Sequence, residues 1–118
     1  MWTYTAYILC KYLERHPEKR EGLKFSDFAD FIFNELWRKG RVVFHDGAED
    51  LFSDILYLVK LGILEVERKE KFENSVIKIR NIEQLNEVAK VVENSFAVIK
   101  FDLLDEYLKR INMVISGA

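Results

Sequence analysis

The chain has 118 residues, of which 49% are hydrophobic and 32% are charged, with a single proline. This balance is that of one globular domain with a real core, and it excludes a disordered chain. The formal net charge of −2 gives no overall basic field. Binding to nucleic acid or to an anionic membrane would therefore need a local patch of cations.

Few residues of the chain are candidates for disulfide formation, metal binding or catalysis. Cys10 is the only cysteine, so no intrachain disulfide is possible, and its apolar neighbours predict a buried thiol. His16 and His45 lack metal-ligand spacing and are expected on the surface, so we predict no metal and no cofactor. With no phosphate loop or nucleophile elbow, no catalytic residue and no enzyme are predicted.

Membrane and export signals are not found either. No apolar run reaches the ~20 residues of a membrane span. The segment MWTYTAYILCKYLERHP lacks a basic n-region and has the pattern of an amphipathic helix. A cytoplasmic protein without membrane contact is the expectation.

The first part of the chain alternates helical and extended patterns. Apolar residues at helical spacing predict a helix over residues 3–15. Residues 23–25 predict a minimal strand. A second helix then runs to about residue 38, with Ser26 as its N-cap and Gly40 closing it in a left-handed conformation.

A third helix and a hairpin come next. Asp46 and Glu49 have capping-box spacing, in which Asp46 would accept a backbone N–H of the first turn. Helical periodicity continues to Gly62. Alternation over 63–68 and 76–80, on either side of a charged tip, then predicts a β-hairpin.

The C-terminal part has a helical pattern. Asn81 can cap a helix there, and apolar residues recur at steps of three and four from Leu85 onward. Asn94-Ser95 is the predicted break between two helices, with Asp102 capping the second. One helix over residues 82–116 is the alternative.

The order helix, short strand, helix, helix, strand, wing, strand resembles the winged helix-turn-helix fold. Its most specific piece is DILYLVKLGILEVERK, residues 54–69, which is similar to the junction of helix, glycine and strand in archaeal and bacterial winged-helix regulators. The resemblance implies a mainly α fold with a small β-hairpin wing. It places a winged-helix domain at residues 1–80 and a C-terminal helical extension at 81–118, within a single compact domain.

The resemblance also implies a small regulator of transcription that binds double-stranded DNA. The candidate phosphate contacts are the cations of the turn before the third helix and of the wing, namely Arg38, Lys39, Arg41, Arg68, Lys69 and Lys71. Glutamates are interleaved with the wing cations. A mixed surface with cross-strand ion pairs therefore stays open as the alternative.

The outward face of the third helix departs from the usual basic or amide-rich form. Its predicted members are Glu49, Asp50, Ser53, Asp54, Tyr57 and Lys60. Carboxylates at a helix start compensate the helix dipole, but they repel phosphates. A second hypothesis is thus a winged-helix protein-protein interaction module whose acidic third helix binds a basic partner.

Many winged-helix regulators carry a further helix that pairs two subunits. The apolar series of the C-terminal extension would serve that purpose here through Leu85, Val92, Phe96, Ile99 and Leu103. We therefore expect a two-fold homodimer.

Overall fold

The computed structural model describes the backbone of residues 2–98 and 102–117, and the side chains of this range except those of 95–98 and 102–105. The described chain is mainly helical with one small antiparallel sheet. The helices are α1 (Trp2–Arg15), α2 (Phe25–Asp30), α3 (Trp37–Gly40), α4 (Ala48–Lys60), α5 (Ile82–Val98) and α6 (Asp102–Ser116), and a π-helical stretch, Phe31–Leu36, joins α2 to α3. The strands are β1 (Leu23–Lys24), β2 (Leu64–Glu67) and β3 (Val76–Ile79), and short 3-10 helices lie at Pro17–Lys19 and Phe72–Asn74.

Helix α1 forms the centre of the core. Its residues 5–10 are all buried, because α4, α5 and α6 pack around it. A helix covered on all sides needs apolar residues on all sides, and Ala6, Tyr7, Ile8 and Leu9 supply them.

The sheet has the order β1-β3-β2 with antiparallel pairing throughout. Leu23 of β1 and Val66 of β2 both lie opposite Ile77 of the central strand. Leu23, Leu64 and Ile77 are buried, which anchors one face of the sheet to the core. The predicted minimal strand and the predicted hairpin are both confirmed.

The predicted N-cap at Ser26 is wrong. The helix begins at Phe25, with Lys24 in the cap position and no side-chain cap hydrogen bond. The Phe25 N–H donates instead to the Ser75 carbonyl oxygen at 2.8 Å. The sheet thus satisfies a donor at this helix start, and Ser26 falls inside the first turn.

The predicted left-handed closure at Gly40 is also wrong. Arg41 has the left-handed backbone, with φ 54° and ψ 36°, whereas Gly40 belongs to α3 and is buried. A Cβ at Gly40 would lie 3.1 Å from Val114 Cγ2 of α6. The glycine therefore allows a close approach of two helices and does not make the turn.

The capping box at Asp46 does not form. The N-cap position of α4 is Gly47, and no side chain caps this helix. Asp46 was predicted to accept a backbone N–H through its side chain. Instead, its own backbone N–H donates to Asp50 Oδ2 at 3.1 Å. Gly47 is extended, with φ 177°, and Asp46 lies one residue ahead of this N-cap and two ahead of the first helical residue, Ala48.

The C-terminal extension forms two helices, but the break differs from the prediction. Helix α5 continues through Asn94-Ser95 to Val98, and α6 starts at Asp102. The predicted cap at Asn81 is confirmed, because its Oδ1 accepts the Gln84 backbone N–H at 3.0 Å. The predicted cap by the Asp102 side chain lies outside the described side chains.

Candidate nucleic-acid interface

Three lysines from two segments surround one surface depression at the tip of the β2–β3 hairpin, which we call the wing. Lys24 ends β1, while Lys69 and Lys71 belong to the tip between β2 and β3; Glu70 and Asn74 complete the lining. Pairing of β1 with β3 brings Lys24 beside the tip. We call Lys24, Lys69 and Lys71 the lysine cluster. Like charges held together in this way favour an anion between them.

The wing cations that the sequence singled out have different local partners. Lys69 Nζ lies 2.9 Å from Glu67 Oε1, and this hydrogen bond lowers the pKa of the Glu67 carboxyl. The Arg68 guanidinium lies 5.5 Å from the centre of the Phe52 ring. Within the described residues, Lys71 has no ion-pair partner. The wing is thus partly self-neutralised, and Arg68 also has a packing role.

The turn cations lie far from the wing. Arg38, Lys39 and Arg41 are exposed at the C-terminal end of the helical segment that runs from Phe25 to Gly40, about 24 Å long at 1.5 Å per residue. The wing contacts the other end, where the Phe25 and Phe72 rings are 5.8 Å apart. The two predicted groups of cations therefore sit at opposite ends of one helical segment, and Lys39 is paired with Glu35 at 2.7 Å.

The predicted outward face belongs to α4, and most of it is exposed as expected. Glu49, Asp50, Ser53, Tyr57 and Lys60 all face solvent. The Tyr57 ring packs 5.3 Å from that of Trp2, at an interplanar angle of 43°. Tyr57 stays 41% exposed, and Leu61, one turn further on, is 37% exposed. This face therefore combines carboxylates at its start with an apolar surface at its end.

Asp54 was wrongly assigned to that face. It follows Leu51 by three residues and precedes Leu58 by four, so it lies on the buried stripe of α4. Its side chain is 13% accessible, and its Oδ2 accepts the Thr5 hydroxyl at 2.8 Å. This carboxylate faces α1 and is directed away from any ligand of the exposed face.

The expected surface position of His45 is also wrong, since only 1% of its side chain is accessible. Its Nε2 lies 2.7 Å from Thr5 Oγ1 and 3.0 Å from Asp54 Oδ2. Burial is the main cause that lowers the pKa of His45, and the neighbouring Asp54 opposes it in part. Sequence reasoning missed this cluster. The signal that could have pointed to it is Thr5, a polar residue within an otherwise apolar stretch of α1, residues 4–10.

The arrangement of Thr5, His45 and Asp54 differs from a nucleophilic triad. In a triad the hydroxyl and the carboxylate contact opposite nitrogens of the imidazole. Here both contact the same nitrogen, and Thr5 is fully buried. The geometry is that of a structural hydrogen-bond cluster.

Cys10 is buried as predicted, with its Sγ 3.2 Å from Asn86 Oδ1. Burial raises the pKa of the thiol to about 11, which keeps it protonated and unreactive at neutral pH. Across residues 2–98 and 102–117, no three His, Cys, Asp or Glu side chains are grouped so as to hold a metal ion. Within the same ranges, no helix combines the length and apolar character needed to cross a membrane.

The predicted dimer residues divide into two groups. Leu85 and Val92 are buried within the chain, where α5 packs against α1, so they belong to the core and offer no surface to a second copy. Phe96, Ile99 and Leu103 lie outside the described side chains.

Comparisons of the chain with protein-family models, with curated proteins and with solved structures find no match, so the surfaces described above are interpreted from their own chemistry.

Proposed function

We propose that this chain is a winged-helix protein that binds double-stranded DNA, with the lysine cluster as its main phosphate contact, and that it acts as a regulator of transcription. The observation that carries the proposal is the convergence of Lys24, Lys69 and Lys71 on one exposed depression. Strand β1, the helical segment, α4 and the β2–β3 hairpin follow each other along the chain, which is the order expected of a winged helix.

The charge distribution indicates how the duplex would approach. Arg68 and Phe72 of the wing both contact Phe52, in the half of α4 that carries Glu49 and Asp50. If α4 entered the major groove, these carboxylates would meet the phosphates that the lysines attract. We therefore propose contact with the phosphate backbone through the wing, with little reading of base edges by α4.

The test is a titration of the protein with a fluorescently labelled duplex of mixed sequence at several salt concentrations. Replacing Lys24 and Lys71 with Gln should weaken binding to a similar degree for every sequence. It should also flatten the slope of log affinity against log salt by roughly two units, about one for each lost phosphate contact. Lys69 is left in place because it is paired with Glu67.

The matched control replaces Lys90 of α5 and Lys109 of α6 with Gln, which changes the net charge by the same amount on other elements. This variant should keep the native salt slope. An unchanged slope in the wing variant, or an equal loss in both variants, would reject the lysine cluster as the DNA contact.

A basic protein partner is the second candidate, and the exposed face of α4 favours it. Basic side chains of a partner could pair with Glu49 and Asp50 at the start of this face, while another side chain packs over the Trp2–Tyr57 rings at its end. Replacing Glu49 with Gln and Asp50 with Asn separates the candidates. Binding of an arginine-rich peptide should weaken several-fold at low salt if this face receives a basic protein. It should stay unchanged, like DNA binding through the wing, if DNA is the ligand.

A further inference from the structure

Three separate parts of the fold meet at one buried group of polar atoms. Thr5 belongs to α1, His45 to the loop before α4, and Asp54 to α4 itself. The three contacts measure 2.7 Å from Thr5 Oγ1 to His45 Nε2, 2.8 Å from Thr5 Oγ1 to Asp54 Oδ2 and 3.0 Å from His45 Nε2 to Asp54 Oδ2. The cluster therefore holds the start of α4 and its preceding loop against the central helix.

The chemistry of the acceptors fixes the proton on His45. The Asp54 carboxylate only accepts hydrogen bonds, so the imidazole nitrogen 3.0 Å from it must be the one that carries hydrogen. That nitrogen is Nε2, and neutral His45 is thus the Nε2–H tautomer. Its other nitrogen, Nδ1, is a buried acceptor without a hydrogen-bond partner among the described residues.

We propose that Thr5, His45 and Asp54 form a proton-sensitive latch, which holds α4 against α1 while His45 is neutral and releases it when His45 is protonated. The latch is independent of the proposed DNA contact at the wing. It governs how the exposed face of α4 is presented to any partner.

Protonation opens the latch because the added hydrogen is placed on Nδ1, which has no hydrogen-bond partner among the described residues. Neutral His45 already donates from Nε2, so the added proton makes Nδ1 a buried donor facing no acceptor among the described residues. Among the described residues, the charged groups that act on the ring are Asp54 and Asp50 of α4, and both favour imidazolium. Burial outweighs the carboxylates, and the pKa of His45 lies below its ordinary value of 6.5.

The sign of the pH dependence follows. The unfolded chain binds the proton at a higher pH than the folded chain does. The contribution of the latch is therefore complete above pH 6.5 and is lost as the pH falls from 6.5 through the folded pKa.

The fold contains a reporter for this opening. Trp2 of α1 lies 5.3 Å from Tyr57 of α4, so release of α4 should alter the emission of Trp2. The only other tryptophan, Trp37, is removed as Trp37→Phe in every sample. Titration from neutral to mildly acidic pH should then give a fluorescence transition with its midpoint below 6.5.

Two histidine variants assign the transition. His45→Gln keeps an N–H in reach of Thr5 and Asp54 but cannot take up a proton in this range, so the transition should be lost. His16→Gln, at the only other histidine, should leave it in place. A transition that persists in His45→Gln, or that disappears in His16→Gln, would overturn the latch.

The native protein gives a second measurement that does not depend on how the variants fold. The nitrogen chemical shifts of His45 in an NMR spectrum report which ring nitrogen carries hydrogen and at what pH the second one gains it. We expect the Nε2–H form at neutral pH and protonation below 6.5. An Nδ1–H form, or a pKa above 6.5, would overturn the proposal.

Discussion

Arg41 occupies a backbone conformation that L-residues avoid. Its φ of 54° and ψ of 36° are left-handed, while the glycine next to it is helical. The left-handed region costs a residue with a Cβ on the order of 1–2 kcal/mol. Gly40 does not make this turn itself, because it is helical and packs against α6, where a Cβ would lie 3.1 Å from Val114.

We predict that Arg41→Gly is more stable than Arg41→Ala by about 1 kcal/mol in urea unfolding. Both variants remove the guanidinium, so charge and side-chain contacts cancel in the comparison. Only the glycine relieves the left-handed backbone. Equal unfolding midpoints would contradict the conformation described for this residue.

The burial of single residues could not always be predicted from the sequence. The buried stripe of α4 contains Leu51, Asp54 and Leu58, but the aspartate was assigned to solvent because of its charge. Periodicity placed it correctly on the helix. Its partners, Thr5 and His45, are 49 and 9 residues away in sequence, and no local pattern connects them.

At the scale of elements, the helix starts differ in how their backbone donors are satisfied. Asn81 caps α5 through its side chain, since its Oδ1 accepts the Gln84 N–H at 3.0 Å. Helix α4 has no side-chain cap, and Asp46 contributes only its backbone N–H, to Asp50. From residue type and spacing alone, both residues were expected to act as caps.

Asn81→Ala should therefore lower the free energy of unfolding by about 1 kcal/mol, the usual effect of losing an N-cap. Asp46→Ala should change it by less than about 0.5 kcal/mol, as expected for a surface substitution away from a cap. Chemical denaturation of the two variants beside the native chain measures the difference. A loss of similar size in both would restore the capping box at Asp46.

The elements themselves were more predictable than their ends. Periods of two and of about 3.6 identified the strands and most of the helices, because these periods arise from backbone geometry. The π-helical stretch, Phe31–Leu36, has no periodic pattern by which the sequence could identify it. Helix α5 continues to Val98 through residues of strand-like composition, because local propensity is a weak determinant of where an element ends.

On the scale of the whole molecule, function was the least predictable feature. Residues 1–81 contain 14 basic and 14 acidic residues, so only their placement in space creates a patch. The fold gathers Lys24 with Lys69 and Lys71, although Lys24 is more than 40 residues from the other two in sequence. It also separates the turn cations from the wing, whereas the sequence-based hypothesis had grouped them together.

The sequence also predicts how the whole molecule assembles, namely as a two-fold homodimer. The sequence-based prediction of a dimer rested on the apolar series of the C-terminal extension. The chain in fact buries Leu85, Val92 and Ile111 in its own core. Of the five predicted contacts, only Phe96, Ile99 and Leu103 remain as candidates for pairing.

We retain a two-fold dimer as a prediction and expect light scattering at tens of micromolar protein to give about 28 kDa, twice the chain mass of 14.0 kDa. Phe96→Asp should reduce that mass to the monomer value, because a charge in an apolar interface is not solvated. Met113→Asp, at a residue of α6 that is 57% exposed, should leave the dimer intact and is the matched control. A monomer mass for the native chain would reject the dimer. An equal loss of the dimer in both variants would move the interface to the exposed side of α6.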